Sequence, residues 1–336
     1  MKLYSTLRSF LSEKNKGALT KILIESGLKP RINKRARSPF DKGIIVFSAD
    51  FEMAWAFRFS RTRRHEAVEK GLAERKNVPI LLDLFDKYNI PVTWATVGHL
   101  FLNECRRGPG GLPHPEMPRP DYFKNRNWNF SSGDWYQHDP CTDYNTDPAW
   151  YASDLVDLII RSDVKHEMGC HTFSHLDFTY KNCPRPLADA ELDACIKAAS
   201  VRGVRLQSMV FPGGTAGNYE SLAERGFTCY RQPMKNHIDL PYIDSHGLVV
   251  LPSSLGLDKD PYGWDREFHL QMIRKYLDKT AKHKQVCHFW FHPSMDGWYL
   301  ENVMPEVLKM VADYAGSSKI EVKTMCQLAE LVISNR

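Results

Sequence analysis

Three things are scarce in this 336-residue sequence. No Cys-x-x-Cys pair occurs among its eight cysteines, which argues against a disulfide framework in a chain this long and points to reduced cytosolic thiols. No apolar run approaches the roughly 18–20 residues that cross a bilayer. The N-terminal segment has neither a long apolar core nor a small-residue cleavage site, so a cytoplasmic location is expected. Basic excess is missing from the body of the chain. Residues 1–42 hold eleven Lys and Arg against three acidic residues, and because the whole chain is only +5, the remainder is slightly acidic. That remainder is not a nucleic-acid reader.

What is present is ordinary globular composition, 43% hydrophobic and 25% charged, enough for one large α/β domain. Residues 1–42 read as a basic arm. Apolar positions at helical spacing (Leu7, Phe10, Leu11, then Leu19, Ile22, Leu23) predict short helices, followed by a linker with Pro30 and Pro39. Such an arm is ordinarily a solvated face; a peripheral membrane contact or a biosynthetic partner is the functional alternative. Over residues 43–336, strand-like and helix-like segments alternate. Strands are expected at 43–50, 90–97, 165–170, 204–211, 227–231, 286–291 and 320–322, with helices between them. Apolar strands in repeated β/α units mean a parallel sheet covered by helices, and seven or so units can close into a barrel. Residues 102–150 break the rhythm with Gly, Pro, Asn and Trp, and their aromatics argue against disorder.

In a parallel barrel the chemistry belongs at the strands' C-terminal ends. Taken in order, these ends supply Asp50 and Glu52, His171 and His175, the FPGG run at 211–214, Arg231, and His292. Side chains alternate along a strand, so Asp50 and Glu52 point the same way. Two carboxylates on one buried face need water, a partner or a cation. Two His-x-x-x-His pairs occur, 171/175 and 288/292. Along a strand that spacing is roughly 13 Å, too far for one ion; in a turn of helix the rings share a face. His171 and His175 leave a strand and are expected to enter such a turn, so they are the metal candidates. His292 is a single group at a strand end, and His288 an interior histidine. Two histidines and one carboxylate with an open position make a hydrolytic metal site. Zinc is the default ion, with cobalt, nickel or iron tolerated by the same ligands. One carboxylate would then ligate the ion and the other act as base.

SADFE (48–52), HEMGCHTFSH (166–175), FPGG (211–214) and HFWFHP (288–293), in this order, resemble the successive motifs of the polysaccharide deacetylase family, carbohydrate esterase family 4 or NodB homology domain. The resemblance spans about residues 43–333. It implies a distorted (β/α)7 barrel of parallel strands and removal of an acetyl or related acyl group from an amino sugar or glycan precursor. Carried onto this chain, it makes Asp50 the base and His171 and His175 metal ligands. Glu52 becomes the third ligand, because the usual second aspartate is replaced by Phe51 and the sequence follows a D-x-E variant. His292 matches the general acid. The third motif lacks its customary arginine and keeps a backbone N–H, at Gly213, for an oxyanion; Arg231 on the next strand is the expected substitute. Trp128 and Trp135 of the insertion are expected to contact a glycan, either free or nucleotide- or lipid-linked. A metal-independent amide hydrolase like the allantoinase-type relatives and a degenerate carbohydrate-binding protein are the alternatives.

Overall fold

The computed structural model describes residues 12–33, 37–232 and 237–335. The expected helix around Leu7, Phe10 and Leu11 lies outside the described residues. Helix α1 (Glu13–Glu25) begins at Ser12, whose hydroxyl caps it, and buries Gly17, Thr20 and Ile24. Ile22 faces outward at 59% exposure, so the buried stripe is not the one the apolar spacing suggested. A Cβ at Gly17 would lie 2.7 Å from Tyr262, which is why this helix can lie so close.

The barrel is organised about β1 (Gly43–Phe51), buried along its whole length. Its alternation is direct. Ile44 and Val46 pack inward with Ala95, Val210, Val249 and Leu251, whereas Ile45, Phe47 and Ala49 pack outward beneath the helices. Strands β2 (Thr93–Thr96), β3 (Glu167–Cys170), β4 (Ser208–Val210) and β5 (Cys229–Gln232) follow, each parallel to the one before. Then β6 (Val249–Pro252) pairs with β5, and β7 (Leu255–Gly256) pairs with β8 (Val286–Phe291), which returns to β1. Only Ser253 and Ser254 separate β6 from β7, so this one segment joins the two ends of the sheet. Ser254 N–H donates to His288 O at 2.8 Å across that join.

Helices α2 (Ala67–Lys87), α3 (Ser153–Ile160), α4 (Arg185–Ser200), α5 (Tyr219–Glu224), α6 (Arg266–His283), α7 (Gly297–Asn302) and α8 (Met304–Gly316) connect the strands. Strand β9 (Ile320–Lys323) and helix α9 (Met325–Ser334) complete the chain. Three of these helices start at a side-chain cap: Asp265 accepts from Phe268 N, Asp296 accepts from Trp298 N, and Thr324 with Gln327 forms a capping box for α9. Helix α3 begins at Ser153, after Ala152, without a side-chain cap.

The expected seven-stranded α/β barrel is present, but its membership differs in one place. The segment 320–322 is β9, which borders only Gly43–Val46 of β1 while β2 borders Ser48–Phe51. The seventh position belongs to β6 and β7, which the alternation did not identify. Among the described residues no helix lies between β5 and β6; Tyr242–Ile243 runs antiparallel to β6 instead. Pro252 and the two serines then interrupt the apolar run, and this is where the barrel is distorted.

Candidate active site

The inward parity of β1 continues past Ile44 and Val46 to Ser48, Asp50 and, one step beyond the strand, Glu52. On β8 the inward set is Val286, His288, Trp290 and then His292; on β5 it is Cys229 and Arg231. These strand ends face a cavity of about 630 Å³, whose lining includes Asp50, Glu52, His175, Gly213, Arg231 and His292.

Glu52, His171 and His175 are all buried, and their ligand atoms lie within 4.8 Å of one another. Glu52 Oε2 is 3.2 Å from His171 Nε2 and 3.0 Å from His175 Nε2. His171 Nδ1 is 2.7 Å from the Val210 carbonyl. A carbonyl only accepts, so Nδ1 carries a proton and Nε2 is the ring nitrogen turned toward the carboxylate. Burial lowers His175, and the neighbouring Glu52 only partly opposes this. Burial would raise Glu52, but the His292 and His175 charges and hydrogen bonds from His171 and His175 outweigh it and hold it well below the usual carboxylate range. An ionised carboxylate facing two imidazole nitrogens is a donor set that fits a divalent cation.

The backbone that brings the two histidines together is not the expected helical turn. Residues 171–176 are an irregular loop, with Thr172 at φ 59° and His175 at φ 54°. Left-handed conformations at non-glycine residues cost roughly 1–2 kcal/mol each. Local bonds hold them: Leu176 N–H donates to Thr172 Oγ1, and Ser174 N–H donates to buried Glu191. A third such residue, Met53 (φ 51°), follows Glu52. Its turn is fixed by Glu74 of α2, whose Oε2 accepts from the N–H groups of both Glu52 and Met53. No motif marks Glu74; a carboxylate among the apolar positions of an amphipathic helix is the signal that could have found it.

Asp50 is gripped from the opposite side. Arg231 Nη1 and Nη2 donate to its two oxygens at 2.6 Å each. Burial would raise Asp50, and the Arg231 charge and hydrogen bonds outweigh it, so its carboxyl is lowered. The pair therefore stabilises the fold above the ordinary carboxylate range, and that contribution is lost as pH falls through the lowered value. Arg231 Nη1 also donates to Ser48 Oγ at 2.8 Å, which leaves the Ser48 hydroxyl proton for His288 Nε2, 2.8 Å away. His288, fully buried and pushed well below its usual pKa by burial and then by Arg231, is the neutral acceptor that this arrangement requires. The guanidinium also lies 5.2 Å from the centre of the Trp290 ring.

His292 Nε2 lies 3.4 Å from Glu52 Oε1 and 3.9 Å from Asp50 Oδ2, on a side chain 36% exposed. Gly213 (φ 56°) borders the cavity, and a Cβ there would sit 2.5 Å from Asn127 and 2.7 Å from Trp128. Trp128 reaches the cavity and meets the His175 ring edge-on at 5.7 Å between centroids. Trp135 does not, and its expected glycan contact is corrected here. It is 1% exposed, stacks on Phe59 at 4.9 Å and donates its indole N–H to Ser174 Oγ. Its apolar area is worth more in the insertion's own core, where Trp135 supports the histidine loop from behind. Asp177 is also away from the carboxylates; it accepts from Asn125, Asn182 and Thr179 and so ties the insertion to the same loop.

No family model matches the sequence, and no curated protein matches it. Among solved structures, the fold is similar to a putative polysaccharide deacetylase from Mycobacterium smegmatis, at 18% identity and TM-score 0.59, over 89% of this chain and 93% of that one. It is similar to a probable polysaccharide deacetylase from Pseudomonas aeruginosa PAO1 at 15% identity and TM-score 0.56, over 85% and 89% of the two chains. The Puue allantoinase is similar at 14% identity and TM-score 0.53, over 87% and 91%. The chain has the (β/α) barrel fold shared by the deacetylases and this allantoinase.

Proposed function

We propose that this protein is a metal-dependent hydrolase that removes an acetyl or related acyl group from an amino sugar or glycan precursor. The observation that carries the reading is the Glu52–His171–His175 donor set lying beside an Asp50 that Arg231 keeps ionised. Glu52, His171 and His175 would hold one divalent cation, zinc by donor type. Such an ion supplies Lewis acidity to the acyl carbonyl and acidifies water at neutral pH.

The chain's own groups do the rest. Asp50 takes a proton from the attacking water, and His292, more exposed than either carboxylate, returns one to the departing amine or alcohol. The backbone N–H of Gly213 is the proposed donor to the developing oxyanion, where a glycine lets the backbone come close. Arg63, Lys70 and Arg126 line the same cavity with Asn127 and Trp128. Cationic and aromatic groups together favour a sugar that carries phosphate, as a nucleotide- or lipid-linked precursor does. The resemblance to an allantoinase keeps a second reading, amide hydrolysis of a small ureide, as the comparison for the assay.

The test is acetate release by the zinc-loaded protein from N-acetylated sugar nucleotides and oligosaccharides, with allantoin as the control substrate. Acetate from either sugar class and no allantoin turnover is the expected result. Turnover of allantoin alone, or saturable sugar binding without any acetate, overturns the reading.

Arg231 gives this proposal a pH signature. Arg231→Gln removes the charge that opposes burial, so Asp50 is released upward and must lose its proton at higher pH. The acidic limb of the kcat/KM profile is then expected to move up, with Arg231→Lys between the two. An unmoved limb in the Gln variant separates Arg231 from the base.

A further inference from the structure

The insertion holds a second convergence of metal-type donors, apart from the catalytic cavity and unrelated to the motifs above. His99, Cys105, His114 and Asp139 are 0%, 8%, 6% and 1% exposed, and one ligand atom from each lies within 4.8 Å of the other three. Asp139 Oδ2 is 3.0 Å from His99 Nε2 and 2.8 Å from His114 Nε2, and Cys105 Sγ is 3.3 Å from the same His114 nitrogen. We propose that these four side chains bind a structural divalent metal, zinc by donor set, that fastens the insertion to the barrel.

Three features support a metal over a hydrogen-bond cluster. His114 Nε2 has two close partners, a carboxylate oxygen and a thiol, but only one valence: it either donates a proton or accepts one. A cation lets all four atoms point inward as donors of electron pairs. The other Asp139 oxygen is already engaged, accepting from Tyr151 OH at 2.6 Å and from Cys141 N–H at 2.9 Å, so the carboxylate is oriented with Oδ2 toward the cluster. Zinc bonds of about 2.0–2.3 Å in a tetrahedron put neighbouring ligand atoms about 3.3–3.6 Å apart. The observed 2.8–3.3 Å needs only a small outward movement.

The fold supplies a reason for such a staple. Within 102–150 the only strands among the described residues are Phe123–Lys124 and Asn129–Phe130. Cys105, His114 and Asp139 come from this irregular stretch, whereas His99 sits just past β2 with its N–H bonded to Phe173 O. The Phe173 ring lies 5.9 Å from His99 and 5.5 Å from His114 between centroids. The proposed ion would thus clamp the insertion and back the loop that carries His171 and His175. Binding deprotonates Cys105: the S–H bond breaks, its proton leaves to buffer, and the thiolate pair forms the bond to the metal.

Cobalt(II) reports this site selectively, because the Glu52–His171–His175 set contains no sulfur. The full-length protein, stripped with a chelator and reloaded with cobalt(II), should show a near-ultraviolet thiolate-to-metal charge-transfer band. Glu52→Gln should keep the band and Cys141→Ser should keep it, while Cys105→Ser loses it along with one metal equivalent. Where Cys105→Ser does not fold, X-ray absorption of zinc-loaded Glu52→Gln serves instead, with a sulfur neighbour at about 2.3 Å expected. A folded, cobalt-loaded wild type without the band, or a band that survives in Cys105→Ser, overturns the proposal. So does a denatured thiol count two short of the eight cysteines, which would report a Cys105–Cys141 disulfide, the two sulfurs being 3.6 Å apart. The result is independent of the deacylase reading, since the band requires no activity.

Discussion

Alanine at His171 or at His175 is expected to abolish turnover and to empty the metal position in the barrel mouth, leaving the sulfur-ligated equivalent in place. Each histidine supplies one of three protein donors. With Glu52 it would form a site of three ligands, and two ligands rarely retain an ion against competing water and buffer. The loss should exceed that of any other single change, because the proposed cation would both polarise the carbonyl and acidify the nucleophile. Tertiary structure around the loop should survive, since Glu191, Thr172 and Trp135 hold it without the imidazoles. Metal analysis of the folded variants, beside acetate release, decides the matter. Full occupancy in either alanine variant removes that histidine from the ligand set.

Asp50→Asn is the second large effect, and its signature is different. Asparagine keeps the shape but cannot take a proton, so kcat should fall by roughly 10²–10⁴-fold, or about 2.7–5.5 kcal/mol of barrel-mouth catalysis. Metal content should stay at the wild-type level, because both Asp50 oxygens are held by Arg231 and Asp50 is not part of the Glu52 cluster. KM should change little if the loss lies in proton transfer. An emptied metal position in this variant would make Asp50 a ligand and exchange the roles of residues 50 and 52.

The two effects separate because neighbouring carboxylates on one strand face meet different partners. Glu52 is surrounded by imidazoles and Asp50 by a guanidinium, which is how a fold assigns unlike tasks to like groups. Strand alternation within the SADFE run does not by itself distinguish them. The assignment comes from β3 and its following loop on one side and β5 on the other, more than 100 residues away.

The sequence by itself determined the parts that short-range periodicity encodes. Alternation along the strand put Asp50 and Glu52 on one face, and the chain order of strand ends placed His171, Arg231 and His292 at one rim. Only the tertiary structure decided how these groups meet. The 171–175 loop reaches convergence through left-handed residues rather than a helix, since its partners Glu191 and Arg58 are distant in sequence. The seventh strand position fell to Val249–Gly256, whose pairing with both β5 and β8 exists only once the sheet has curled. Trp135 entered a core with Phe59, and His99 came to face Cys105, His114 and Asp139, for the same reason. Local pattern fixes which face of an element is apolar; closure of the barrel fixes which distant side chains share the space that face encloses.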